Sequence, residues 1–214
     1  MKNRKKKFFL GTIVLMLLPA CTRTAKYYFD RGTTKMNEAD YTESIIDFTK
    51  ATDLYPQYPE AYNSRGVAKK VSGDNTGAFE DFSKAIVLDS TFLQAYINRI
   101  EIEGALHDYH GLYEDYQKAL RLYSKSKHTL NATSSLNNTP VVIDTIDFII
   151  ISKKYLKEII AIGNKKYNEN NFKEAVEYYS MAIGLNPEYS ESYFFRANGR
   201  FLLKDCHVET SLFL

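Results

Sequence analysis

Tryptophan is absent from this chain of 214 residues, and cysteine, proline and glycine are scarce, at 2, 5 and 10. Two cysteines cannot staple a domain of this length, which excludes a disulfide scaffold. The low glycine and proline content excludes collagen-like and low-complexity architectures. An excess of one charge is missing too. The 28 Lys+Arg face 26 Asp+Glu, a net charge of +2, which argues against a generic nucleic-acid binder. No apolar run reaches the roughly 20 residues needed to span and stay in a bilayer. Hydrophobic residues nevertheless make up 44% of the chain, enough buried area to offset chain entropy, so disorder is not the main state. What the chain has in plenty is rings: 17 Tyr and 13 Phe. So many amphipathic rings point to packing positions used repeatedly.

The first residues form a separate unit. Lys2, Arg4, Lys5, Lys6 and Lys7 make a cationic head, Phe8 to Leu18 a largely apolar stretch, and Pro19-Ala20-Cys21 follows. Charged head, short apolar middle and small residue at the cut are the pattern of a secretory signal peptide. The ending Leu18-Pro19-Ala20-Cys21 resembles the bacterial lipoprotein signal. That resemblance implies cleavage after residue 20, a lipid on the sulfur of Cys21 and a short tether over residues 21–24. It implies attachment to the extracytoplasmic face of a membrane through two or more acyl chains, which suffices for stable anchoring. Thr22 follows the cysteine, so the aspartate that retains some lipoproteins at the inner membrane is missing. The outer membrane is favoured where the host has one. Removing the five leader cations from the 28 Lys+Arg leaves 23 against 26 Asp+Glu. The mature part is mildly acidic, which weakens a nucleic-acid role further.

Beyond the leader the chain repeats itself. Asp40-Tyr41 through Phe48 and Ala51 recurs 34 residues later as Asp74-Asn75 through Phe82 and Ala85, and 34 later again as Asp108-Tyr109 through Tyr116 and Ala119. A fourth copy places Tyr179 and Ala182 in the same slots. Ahead of each stands another periodic segment, with Tyr28 and Gly32, Tyr62 and Gly66, Tyr96 and Ile100, Ile159 and Gly163. Each copy closes on a leucine (Leu54, Leu88, Leu122, Leu185), with Pro56 and Pro187 stopping two of them, as proline does just past a helix end. A fixed period with small, aromatic and leucine slots marks stacked helix pairs that cannot bury their faces singly.

This pattern resembles the tetratricopeptide repeat. The resemblance implies an all-α fold, a right-handed superhelical solenoid of antiparallel helix pairs. Repeats fall at 25–58, 59–92 and 93–126, so three are contiguous over 25–126. A fourth lies at 156–189, and a degenerate or truncated fifth at 190–214. The insert at 127–155 opens with the polar stretch Asn131 to Asn138, read as a loop. It then offers Thr139-Pro140 as a helix start, with Thr as cap and Pro in the first turn. Val141 to Ile151 is β-branched but is read as helix running into the fourth repeat, because a lone strand would have no partner. In the first three repeats Arg31, Arg65 and Arg99 stand sixteen residues before Asp47, Asp81 and Asp115, while the fourth has Ile162 and Tyr178 in those slots. Two charges that vanish together predict a structural arginine–aspartate pair between the helices of a repeat.

No phosphate loop, nucleophile elbow or zinc-protease motif occurs, so the chain is read as a non-enzyme without metal or cofactor. Glu103, His107 and His110 have metal-like spacing on paper, but a turn between helices separates them. Cys206 is a lone thiol once Cys21 carries lipid. The resemblance implies a protein or peptide partner held in a concave groove lined by the first helix of each repeat. Slot by slot, the groove holds Phe29, Thr33, Met36 and Asn37, then Asn63, Val67 and Lys70, then Gln94, Ile97 and Glu101. Asn164, Tyr167 and Asn168 follow, and then Phe194, Asn198 and Phe201. Phe29, Ile97 and Phe194 are expected to supply buried area. Family members that clamp a terminal carboxylate use cationic slots that here hold Phe29, Thr33, Ser64, Gln94 and Asn98, so that ligand class is not expected. The alternative is a small-molecule or glycan pocket beside the 127–155 insert, walled by Tyr167 and Phe194.

Overall fold

A computed structural model describes residues 22–132 and 145–211, with side chains for 22–125 and 148–203. The described residues are helical, without strands: α1 (22–37), α2 (Tyr41–Leu54), α3 (Pro59–Val71), α4 (Asn75–Leu88), α5 (Leu93–Ala105), α6 (Tyr109–Ala132), α7 (Thr145–Asn168), α8 (Phe172–Leu185) and α9 (Ser190–Ser211). They form two compact units, one up to Ile102 and one from Glu103.

The turn inside each pair is built the same way four times. A residue in the left-handed region follows the first helix: Ala39, Gly73, His107 and Asn170, with φ of 59, 88, 59 and 60°. The next amide reaches back to close the helix, from Asp40, Asp74, Asp108 and Asn171 to the carbonyls of Lys35, Lys69, Glu103 and Lys166, each at 2.9 Å. That is the Schellman arrangement. The same Asp or Asn then turns forward and caps the second helix. It accepts the amide of Glu43 at 3.2 Å, Gly77 at 2.8 Å, Gly111 at 3.0 Å and Glu174 at 3.3 Å respectively. One residue thus ends a helix with its backbone amide and starts the next with its side chain.

In the first unit α2, α3 and α4 pack in sequence. Gly32 lies under Phe48 and Gly66 under Phe82, and a Cβ on either would come within 2.9 and 2.6 Å of the ring. Phe48, Phe82, Ala51, Ala68, Ala78 and Ala85 are all but fully buried. Small residues permit the close crossing, and rings fill what remains. In the second unit α7 packs on α8 and α8 on α9, with Gly163 under Tyr179 in the same manner.

The insert departs from the reading of its first half. α6 continues to Ala132, so Asn131 and Ala132 are helical rather than loop. After Leu122 come Tyr123, Ser124 and Lys125, with neither the proline that follows Leu54 and Leu185 nor the aspartate that turns the chain after Leu88, where Asp89 accepts the Thr91 amide. From Thr145 the β-branched run is helix, continuous through Asn168. It buries Phe148, Ile151, Tyr155, Leu156 and Ile159, and Phe148 sits edge-on to Tyr116 of α6 at 5.6 Å. Residues 133–144, including Thr139-Pro140, lie outside the described residues, as do residues 1–21. At the other end α9 runs unbroken past Leu202 to Ser211, where a fifth repeat would turn back.

Candidate partner-binding surface

The expected arginine–aspartate pairs organise the first unit. Arg31 grips both carboxylate oxygens of Asp47 through Nε and Nη2. Arg65 grips Asp81 at 2.8 and 2.6 Å, Lys69 adds a third contact at 2.8 Å, and Arg65 Nη1 reaches Thr52 at 3.0 Å and Thr49 at 3.3 Å. The hydrogen bond to Asp47 holds the Arg31 guanidinium charged well above its usual range. At Arg65 burial opposes the charge, but Asp81 more than restores it. Arg99 reaches Ser83 in the preceding helix at 3.0 Å. Asp47 and Asp81 are almost completely buried. These charges are spent on holding helices together and leave the first-helix faces to other chemistry.

On those faces the first unit holds a hollow of about 200 Å³ lined by Thr33 and Met36 from α1, Phe48 from α2, and Asn63, Ser64 and Val67 from α3. Asn63 is one end of an amide chain. Asn98 donates to its Oδ1 at 2.9 Å, and Gln94 donates to Asn98 at 3.1 Å. Lys70 and Glu101, both expected on this face, bind each other at 2.5 Å. Thr33 spends its hydroxyl on the Phe29 carbonyl at 2.9 Å, and Asn37 is exposed at the end of α1.

Two expected contributors differ. Ile97 is only 7% exposed, so it has almost no area left to offer a partner, because its side of α5 already faces the interior. Phe29 is half-buried, tilted against Phe48 and Tyr58 with centroids at 5.7 and 5.0 Å; it serves as packing between helices rather than as a displayed ring.

The second unit holds the larger hollow, about 320 Å³, lined by Asn164, Tyr167 and Asn168 of α7, Tyr179 of α8, and Phe194, Phe195 and Asn198 of α9. Five of these seven were singled out from slot position. Tyr179 donates to Asn164 at 2.8 Å, and its ring stacks on Phe195 at 5.4 Å. Burial raises its hydroxyl above the ordinary tyrosine range, so it remains a donor. Phe194 is 63% exposed and Phe201 66%. The hollow lies toward the C-terminal end of α7, about 13 Å of helix rise from Tyr155, and Tyr167 and Phe194 both line it. Ser64 and Asn98, named as clamp slots but not as groove residues, and Phe195 share one slot directly after Asn63, Ile97 and Phe194.

The other features have structural surroundings. His107 Nδ1 lies 2.9 Å from the Tyr109 hydroxyl, which donates to Glu158 at 2.9 Å. Burial, with that carboxylate, pushes the Tyr109 hydroxyl up to about 12. Among the described residues no three His, Cys, Asp or Glu side chains gather as a metal would require. No described helix is long and apolar enough to cross a membrane. Cys21 and Cys206 fall outside the described side chains.

The family model described as "Tetratricopeptide repeat" matches residues 25–58. No curated protein matches the chain. Among solved structures the chain is similar to the first tetratricopeptide domain of human RPAP3, at 25% identity over 47% of this chain and 80% of that one, with a TM-score of 0.46. It is similar to the TPR2B domain of yeast Sti1 in complex with Hsp70, at 21% identity over 51% and 88%, TM-score 0.48. It is also similar to MamA protein, at 18% identity over 85% and 88%, TM-score 0.47. Residues 25–58 thus match a tetratricopeptide repeat, small residues are seated under rings again in the pairs that follow, and the described residues make an all-α fold of helix pairs.

Proposed function

We propose that this chain is a non-enzymatic adaptor, tethered by a lipid on Cys21 to the extracytoplasmic face of a bacterial membrane, that holds a segment of a partner protein against its first helices. The observation that carries this reading is the lining of the α7–α9 hollow. Three asparagines and two exposed-edge rings, Tyr167 and Phe194, converge on it. Amides that donate and accept suit a peptide backbone, and rings supply the area a bound side chain buries. No cation lines either hollow, so an internal segment fits better than a terminal carboxylate. The partner's affinity comes from the second unit's rings rather than from Ile97 or Phe29.

Two measurements test it. Envelope extract passed over the immobilised chain should yield one partner that a Tyr167→Ala/Phe194→Ala chain fails to retain; equal retention by both sinks the groove. Cys21→Ser should release the protein from the membrane fraction, and unchanged association sinks the anchor. A small molecule or glycan is the second reading, favoured by the volume of the same hollow, which falls in the range of ligand pockets. It is chosen instead if no protein is retained and a sugar or metabolite raises the melting temperature of the wild-type chain but not of the double variant.

A further inference from the structure

The first helices of this chain share a slot pattern that the following helix covers. In the first repeat Arg31 holds Asp47 and Gly32 lies under Phe48. In the second, Arg65 and Lys69 together hold Asp81, and Gly66 lies under Phe82. The covering helix therefore brings two consecutive side chains, an aspartate for the cations and a ring for the small residue.

α9 carries the first-helix half of this arrangement. Tyr193, Arg196, Ala197 and Arg200 occupy the slots of Tyr62, Arg65, Gly66 and Lys69. Among the described residues no helix folds back onto them: α9 runs on through Leu202, the position matching Asn37, Val71 and Asn168, where α1, α3 and α7 end. Tyr193 is left 41% exposed, and Ala197 and Arg200 are exposed. Arg196 has the Tyr193 ring at 5.5 Å, but neither it nor Arg200 has a carboxylate partner among the described residues. The residue sixteen beyond Arg196 is Leu212, not an aspartate. Two cations and an apolar strip thus stand open on α9, where in the earlier repeats an acid and a ring cover them.

We propose that this face of α9 receives, in trans, an amphipathic helix of a partner protein bearing an aspartate followed directly by Phe or Tyr. The carboxylate seats between Arg196 and Arg200, as Asp81 does between Arg65 and Lys69, and the ring lies over Ala197. Ala197 has a Cβ where Gly66 has none, so the ring rides further out than Phe82 and the contact is looser than its intramolecular template. Charge complementarity selects this occupant. A second α9 would bring two more arginines to the same place. The surface is separate from the amide-lined hollow and does not depend on the function proposed for it.

The probe is a labelled peptide of the chain's own α4 with its cap, residues 74–88, which carries Asp81-Phe82. Titrated with the full chain, it should bind saturably by fluorescence anisotropy. Binding should weaken about tenfold or more on Arg196→Glu in the chain, and likewise on Asp81→Asn or Phe82→Ala in the peptide. Tyr167→Ala in the hollow should leave it unchanged. Absent binding overturns the proposal, as does equal binding of the three peptides, or a loss caused by Tyr167→Ala, which would put the peptide in the hollow. A concentration-dependent dimer dissociated by Arg196→Glu would assign the face to a second copy and overturn the stated partner. The peptide variants keep the test decisive even if the chain variant misfolds.

Discussion

Replacing Arg65 and Asp81 separately and together tests whether the pair inside the second repeat is a local choice or a requirement of the fold. Asp81 has a side chain only 5% exposed, and Arg65 15%. Breaking a buried pair from one side typically costs about 3–5 kcal/mol, because the remaining charge is stranded. Here Lys69 stays 2.8 Å from Asp81, so Arg65→Ile should cost less, about 2–3 kcal/mol. The fourth repeat shows the apolar solution within the same chain: Ile162 and Tyr178 fill the two slots, and Gly163 still lies under Tyr179. Arg65→Ile with Asp81→Tyr should therefore lie within about 1 kcal/mol of wild type, since exchanging a whole buried pair for apolar groups is often neutral. Lys69, left without its carboxylate, is within 3.4 Å of the Gly77 carbonyl. Urea unfolding followed by circular dichroism reads the result. At about 1–2 kcal/mol/M, Arg65→Ile alone lowers the midpoint by about 1–3 M, and the second change restores most of it. Additive losses, with the double variant worse than either single one, would refute the reasoning.

Gly66→Ala should destabilise by about 1–3 kcal/mol despite alanine's better helix propensity. The added Cβ lands 2.6 Å from the Phe82 ring, which is 0% exposed and hemmed by Ala78 and Ile102; a raised melting temperature would contradict this. Tyr109, raised to about 12 in the fold from an ordinary 10.0, keeps its proton longer folded than unfolded. It therefore contributes stability that is fully present below pH 10 and drains away between about pH 10 and 12. Urea midpoints across that window should fall more steeply for wild type than for Tyr109→Phe, and parallel curves would remove the assignment.

Much of this architecture can be read from spacing alone. A glycine at 66, a ring at 82 and an aspartate at 74 each do one job set by local geometry: close approach, filling, and capping. The recurrence of those jobs every 34 residues makes them visible. The Arg65–Asp81 pair was equally legible, because Ile162 and Tyr178 change together. Ile97 was not. Its slot matches Phe194, yet one is 7% exposed and the other 63%; what separates them is how much of the chain packs around each helix, and slot position carries no such information. Asn98 was missed for a similar reason, since its hydrogen bond to Asn63 joins residues 35 apart on different helices.

Sequence by itself determined the helix pairs, their turns and the small-against-large pairing, because these depend on residues three, four or sixteen positions apart on rigid helices. The tertiary structure alone decided where the helices run on and what remains open. α6 extends to Ala132 with Phe148 of α7 packed against its Tyr116, and α9 passes the expected turn. The hollow between α7 and α9 brings the stacked rings of Tyr179 and Phe195 together with asparagines from both of those helices. Exposure is a property of packed neighbours, and a repeat pattern assigns the same slot to a covered helix and an uncovered one.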